Sequence, residues 1–187
     1  PCNLKEKLRQ KFGTEFTGKE EWDLWAGSLL RGLLEAISYL HHTGFLHRDL
    51  KLENVLVSEE GQAVLADFET SKNDANQATS TVTHVVVTEG YTAPEVLTDG
   101  HSAASDMFAF GVILAQALLT PRPSLLDAPV TAATVAGLAP EILDAEQKAI
   151  LRALLQQDPK KRPSAARLLQ APFFKGRPRM RECCICG

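Results

Sequence analysis

Asp49, Lys51 and Asn54 stand close together in the run His47-Arg48-Asp49-Leu50-Lys51-Leu52-Glu53-Asn54, and Asp67 follows eighteen positions beyond Asp49 in Ala66-Asp67-Phe68-Glu69. These side chains supply a candidate proton acceptor, a cation for a phosphate, and an amide and a carboxylate able to hold a divalent metal. Nucleotide phosphates repel an incoming oxygen nucleophile, so a transfer site needs cations over them. Mg²⁺ is a hard ion and prefers oxygen ligands such as Asn54 and Asp67. The residue types fit phosphoryl transfer.

Such a cluster has to be delivered by the elements around it. Thr17 followed by Glu20 has the form of a capping box, which predicts a helix start there. Trp22, Trp25, Leu29, Leu30, Leu33, Leu34, Ile37 and Leu40 then recur at spacings of three and four, and Gly44 is placed to end the helix. This predicts one long amphipathic helix leading to His47. Val55-Leu56-Val57, the turn-like Ser58-Glu59-Glu60-Gly61 and Ala63-Val64-Leu65-Ala66 read as a short hairpin that ends at Asp67. Residues 70 to 90 have no helical period and predict a long loop. Met107 to Leu119 is apolar on every side and predicts the central helix, stopped by Pro121 and Pro123. A helix near 144 to 156 follows, with Asp144 and Gln147 at capping spacing, and a short one starts near Ser164 and stops before Pro172.

At 187 residues and 44% hydrophobic, the chain suffices for one packed domain and is too short for two substantial ones. A net charge of −3 offers no basic field for nucleic acid or an anionic membrane, so neither is expected as a partner. The stretch Met107–Leu119, thirteen residues, falls short of the roughly 20 that cross a bilayer. Cys2 stands alone while Cys183, Cys184 and Cys186 crowd the last five residues, so no framework of spaced disulfides is offered. A reducing, cytoplasmic (intracellular) setting is expected.

The run His47–Asn54 resembles the catalytic loop of protein kinases. Further segments fall in that family's order: Ala66-Asp67-Phe68, Thr88-Glu89-Gly90-Tyr91-Thr92-Ala93-Pro94-Glu95, Ser105-Asp106 leading into Phe110-Gly111, and Asp158-Pro159 with Arg162-Pro163. The 46 residues before His47 read as two helices and contain neither G-x-G-x-x-G nor V-A-I-K. The resemblance therefore implies a mainly α fold of the α+β family. It would be the protein-kinase-like C-terminal lobe, a helical bundle with a small β-hairpin, with the N-terminal lobe missing and the piece cut from a longer protein. Residues 1–174 are expected to form this partial kinase domain and 175–187 a basic linker with a Cys-rich tail. The implied cofactors are ATP and Mg²⁺, and the implied partner is a protein substrate.

The resemblance also implies roles. Asp49 accepts or orients the proton of the substrate hydroxyl, and Lys51 reaches the transferring phosphate. Asn54 and Asp67 hold Mg²⁺, and Leu56 lies under the adenine ring. His47 and Phe68 stack in an apolar column rooted at the central helix. Lys51 with Thr88 resembles serine/threonine kinases, and the Gly90-Tyr91 order resembles the tyrosine-kinase-like and plant receptor-like groups among them. Glu95 pairs with Arg162, and Asp106 accepts backbone N–H groups of the catalytic loop. Arg48 can pair a phosphate on the long loop, where Thr79, Ser80, Thr81 and Thr83 are acceptors in reach.

One departure is Glu69, where the family has Gly; Glu restricts the backbone and adds a carboxylate near the metal. Together with the missing lobe it motivates an alternative, a pseudokinase acting as a scaffold. Cys183 and Cys186 have C-x-x-C spacing, and Glu182-Cys183-Cys184-Ile185-Cys186 resembles the opening of a RING-type zinc domain. Two thiolates supply at most half of a tetrahedral site, so Zn²⁺ is expected only if the tail continues into such a domain. This leaves a second alternative, a kinase-like regulator attached to a ubiquitin ligase.

Overall fold

A computed structural model describes residues 2–11, 18–68, 72–73, 88–120, 130–131, 135, 137 and 142–175. Glu69, Thr79, Ser80, Thr81, Thr83, Cys183 and Cys186 lie outside the described residues, and so does Thr17. Strand β1 (Cys2–Asn3) leads directly into α1 (Leu4–Lys11), whose first turn is capped by the Asn3 side chain accepting from Glu6 N at 2.9 Å. The long helix α2 spans Lys19–His42 and buries Trp22, Trp25, Leu29, Leu30, Leu33, Leu34 and Ile37, as the spacing predicts.

Its start differs from the expected capping box. The N-cap is Gly18, in extended backbone and without a side-chain cap bond. Glu20 and Glu21 in the first turn instead complement the helix dipole. At the other end Thr43 N donates to Tyr39 O and Leu40 O, and Gly44 takes φ +77°, the left-handed angle that closes a helix and favours glycine.

Strand β2 (Phe45–Leu46) follows, then the catalytic run with its 3₁₀ turn Leu52–Asn54, and the hairpin of β3 (Val55–Val57) and β4 (Ala63–Leu65). The register is Val55 with Leu65, Leu56 with Val64 and Val57 with Ala63. Two corrections to the expected hairpin arise here. β1 adds to it antiparallel, Cys2 opposite Val57, making three strands in the order β1-β3-β4. Within the predicted loop, β5 (Lys72–Asn73) pairs with β2, Phe45 opposite Asn73. Two-residue strands carry no period of their own, and only tertiary pairing makes them.

The short helix α3 (Val96–Asp99) precedes α4 (Ala103–Leu119), which is buried from Ser105 to Leu119 on nearly every side. Ser102 and Ser105 form a reciprocal capping box at its start. Helix α5 (Ala145–Leu154) carries the expected box, with Gln147 N donating to Asp144 Oδ1 at 2.8 Å and Asp144 N to Gln147 Oε1 at 3.0 Å. The 3₁₀ turn Pro159–Lys161 and α6 (Ala165–Leu168), N-capped by Ser164, complete the described chain.

The core is one cluster around α4. Trp22 Nε1 donates to Ala117 O at 2.9 Å, tying α2 to α4, and Arg31 Nη1 donates to Phe174 O at 2.6 Å. Phe110 and Phe174 rings meet at 6.3 Å, both fully buried. Gly111 allows the closest approach of α4 and α5, since a Cβ there would lie 2.7 Å from Leu154 Cβ. No helix among the described residues is long and apolar enough to cross a membrane.

Candidate active site

The cluster is built on one buried carboxylate of α4. Asp106, 2% exposed, accepts from His47 N at 2.9 Å and from Arg48 N at 3.0 Å. It therefore clamps the two residues before Asp49, as expected. His41, on the last turn of α2, completes the arrangement with Nε2 at 2.9 Å from the same carboxylate. Sequence reasoning missed His41, because it lies sixty-five positions from Asp106 and no spacing rule links them.

Asp49 is the point of convergence. Its carboxylate accepts from Lys51 Nζ at 2.6 Å, from Asn54 Nδ2 at 2.9 Å and from Thr88 Oγ1 at 2.7 Å. Asn54 Nδ2 also donates to the Asp49 carbonyl at 2.9 Å. Burial pushes the Asp49 carboxyl up, but the hydrogen bonds and charge of Lys51, with the bonds from Thr88 and Asn54, outweigh it. The group is held below the usual carboxylate range and is ionised at neutral pH. The Lys51 ammonium rests on Asp49 itself.

Asn54 spends its donors on Asp49, which leaves its carbonyl oxygen as the atom able to meet a cation. Asp67 is exposed, adopts φ +63° and stands outside the hydrogen-bonded quartet. Among the described residues no three His, Cys, Asp or Glu side chains group as a metal site. The oxygen donors of Asn54 and Asp67 nevertheless suit hard Mg²⁺ in kind. Leu56 is half-buried on β3.

The strand β4 leads to Asp67 through Ala66, whose N–H donates to Asn54 O at 2.9 Å and whose carbonyl accepts from His47 Nε2 at 3.1 Å. His47 also meets Phe68, ring centroids 5.3 Å apart, with Phe68 half exposed. The two rings are in contact but tilted at 56° and not stacked in an apolar column as expected, and His47 reaches α4 through the bond from its N to Asp106.

Arg48, with φ +72°, turns its side chain into a cleft of about 290 Å³ also lined by Thr92, His101, Ser105 and Asp106. Its Nε is buried and has no hydrogen-bond partner among the described residues. Burial and the Arg48 charge together push the His101 imidazole down, against the opposing pull of Asp106 and Asp49.

The segment that brings Thr88 to Asp49 is anchored at both ends of its course. Tyr91 donates its hydroxyl to Gln116 Oε1 at 2.8 Å, and burial with the Glu53 charge pushes the phenol up to about 12. Glu95 takes a two-pronged bond from Arg162, with Nη2 to Oε2 at 2.8 Å, as expected. The Thr88–Asp49 contact spans thirty-nine positions and could not be read from spacing.

The protein kinase domain family matches residues 5–174 of the chain. The chain belongs to the protein kinase family. Among its relatives, the serine/threonine-protein kinase fray1 of Dictyostelium discoideum is 32% identical over 82% of this chain and 29% of its own length. The serine/threonine-protein kinase Nek6 of Oryza sativa subsp. japonica is 32% identical over 99% of this chain and 34% of its own length. Mitogen-activated protein kinase kinase kinase 15 of Mus musculus is 36% identical over 76% of this chain and 12% of its own length. The chain spans between 12% and 34% of the length of these curated relatives.

Proposed function

We propose that the protein carrying this chain phosphorylates serine or threonine hydroxyls of protein substrates. The observation that supports the reading most directly is the convergence of Lys51, Asn54 and Thr88 on Asp49 in a chain of this family. An ionised Asp49 can accept a hydrogen bond from the incoming hydroxyl and orient its lone pair. Its depressed pKa makes it a weak base toward a neutral hydroxyl, so the proton crosses late, when the attacking oxygen has become acidic. Lys51, once released from Asp49 by that hydroxyl, is the cation available to a charged phosphoryl group. ATP supplies the phosphoryl group and Mg²⁺ offsets its charge; Asn54 and Asp67 would hold the metal, and Leu56 the base.

In the same reading Arg48 receives a phosphate carried by one of Thr79, Ser80, Thr81 and Thr83. Its buried, unpartnered Nε is the supporting observation. The test is phosphate transfer from labelled ATP to a generic protein substrate by the full-length protein. Asp49→Asn is expected to lower kcat at least about 100-fold while the protein stays folded by circular dichroism. Equal transfer by the variant would exclude Asp49 from the chemistry.

A further inference from the structure

A cleft of about 310 Å³ opens beside the candidate site and is lined by Lys5, Leu8, Arg9, Leu52, Tyr91 and Gln116. Its walls belong to the neighbours of Asp49. Leu52 begins the 3₁₀ turn that carries Asn54, and Tyr91 follows by three residues the Thr88 whose hydroxyl Asp49 accepts. A polypeptide presenting a hydroxyl to Asp49 would pass close to it.

The cleft has an apolar floor and a polar rim. Leu8 is 1% exposed and Leu52 2%. Lys5 and Arg9 stand four residues apart on α1 and so share one face of that helix. Gln116 Oε1 is taken by the Tyr91 hydroxyl, which leaves the Gln116 amide N–H groups as the polar atoms it can offer. Tyr91 keeps its proton across the physiological range, since its phenol is pushed up to about 12. The rim thus offers the Lys5 ammonium, the Arg9 guanidinium and the Gln116 amide as donors, while the Tyr91 hydroxyl spends its proton on Gln116.

The charges are unequal in availability. Lys5 Nζ donates to Glu53 at 2.9 Å, and this bond helps to keep the Glu53 carboxyl ionised against the effect of its burial. Arg9 is exposed and makes no hydrogen bond or ion pair among the described residues. A cationic side chain entering the cleft would meet Arg9 and would have to displace Lys5 to reach Glu53. A carboxylate would gain Arg9 and leave the Lys5–Glu53 pair intact.

We propose that this cleft is a specificity subsite that takes an Asp or Glu side chain of the protein substrate, flanking the accepting hydroxyl, with Arg9 as its determinant. The proposal rests on the kinase reading above and adds a substrate class to it.

The test uses the full-length protein and a set of serine peptides in which each of the five positions on either side of the serine carries Glu, Ala or Arg in turn. At one position the Glu peptide is expected to exceed its Ala counterpart by about three- to fivefold in kcat/KM, through KM, as suits one partly exposed ion pair. Arg9→Ala is expected to abolish that ratio. The double variant Lys5→Ala, Arg9→Glu, which frees Glu53, is expected to turn the preference toward Arg at the same position. Overturning results are a Glu preference at no position, one that survives Arg9→Ala, or an Arg preference in the unaltered protein.

If no peptide is phosphorylated, the kinase reading fails and the subsite is judged by binding alone. Fluorescence anisotropy of the same peptides on the 187-residue chain is then expected to show about threefold tighter binding of one Glu peptide, lost in Arg9→Ala. Equal affinity for the Glu, Ala and Arg peptides overturns the proposal.

Discussion

Arg162→Lys keeps the charge and removes the fork, and it isolates what the guanidinium does. Arg162 donates through Nε to Gln156 O at 2.8 Å, through Nη1 to Glu95 and to Ala104 O at 2.9 Å, and through Nη2 to Glu95 at 2.8 Å and Gln157 O at 3.4 Å. All five of its N–H groups are used, and its side chain is 0% exposed. The cation also lies 5.0 Å from the centre of the Phe108 ring. A lysine has three donors, so at least two of these five acceptors lose their partner, at about 1–3 kcal/mol for each that is buried. Arg162→Met goes further and leaves Glu95 as a buried, unpaired charge, which costs about 3–5 kcal/mol. Against a total stability of about 5–15 kcal/mol that is a large fraction. Urea unfolding of the chain is expected to show Arg162→Lys destabilised by about 2–4 kcal/mol and Arg162→Met by somewhat more. Adding Glu95→Gln to Arg162→Met is expected to recover about 1–2 kcal/mol, because the stranded charge is gone. A lysine variant within about 0.5 kcal/mol of the parent, or strictly additive effects in the double variant, would refute the assignment of Arg162 as a saturated buried fork.

Gly111→Ala places a Cβ against Leu154 and is expected to cost about 1–3 kcal/mol, measured by the urea midpoint; a neutral result would mean that α4 and α5 separate freely. His101 has a folded pKa below its ordinary 6.5, so the unfolded chain binds the extra proton first. Stability should therefore rise with pH up to about 6.5 and then level, and His101→Asn should flatten the rise between pH 5 and 6.5; an unchanged slope in the variant would remove His101 as its source. Thr88→Val removes the hydroxyl that donates to Asp49, and in the full-length protein kcat should fall about tenfold while Thr88→Ser retains most of the rate. Equal rates for the valine and serine variants would show that the hydroxyl does not matter.

What could be read from the sequence is what repeats or caps locally. The three-and-four spacing from Trp22 to Ile37 marks α2, the all-round apolar run marks α4, and Asp144 with Gln147 marks the start of α5. The same reasoning placed the helix start at Thr17, whereas Gly18 serves as the N-cap. β1 and β5 escaped because two residues have no period, and each exists only through a partner dozens of positions away. At the site, Asp49, Lys51 and Asn54 were legible because a single turn holds them. His41 beneath Asp106 and Thr88 on Asp49 were not, because chain folding and not spacing brings them there. The pairing of Glu95 with Arg162 was expected from resemblance and carries a physical reason as well, since neither charge could be buried alone.

The backbone itself marks the same place. Arg48 and Asp67 are the two described non-glycine residues with left-handed backbone, and each such position costs of order 1 kcal/mol or more. Among the described residues neither is offset by a side-chain bond of its own to the neighbouring turn. Each is instead over-determined from outside: Asp106 grips the N–H of His47 and of Arg48, and Ala66 is held between Asn54 O and the His47 ring. The two anchors share His47, whose backbone belongs to the first and whose ring belongs to the second. One buried carboxylate on α4 thereby supports both strained turns. Arg48 and Asp49 line one cleft together with Thr88, His101 and Ser105, and within it the Asp49 carboxylate accepts from Lys51, Asn54 and Thr88. Asp106 is then a positioning residue for the whole site, although it touches none of the reacting groups.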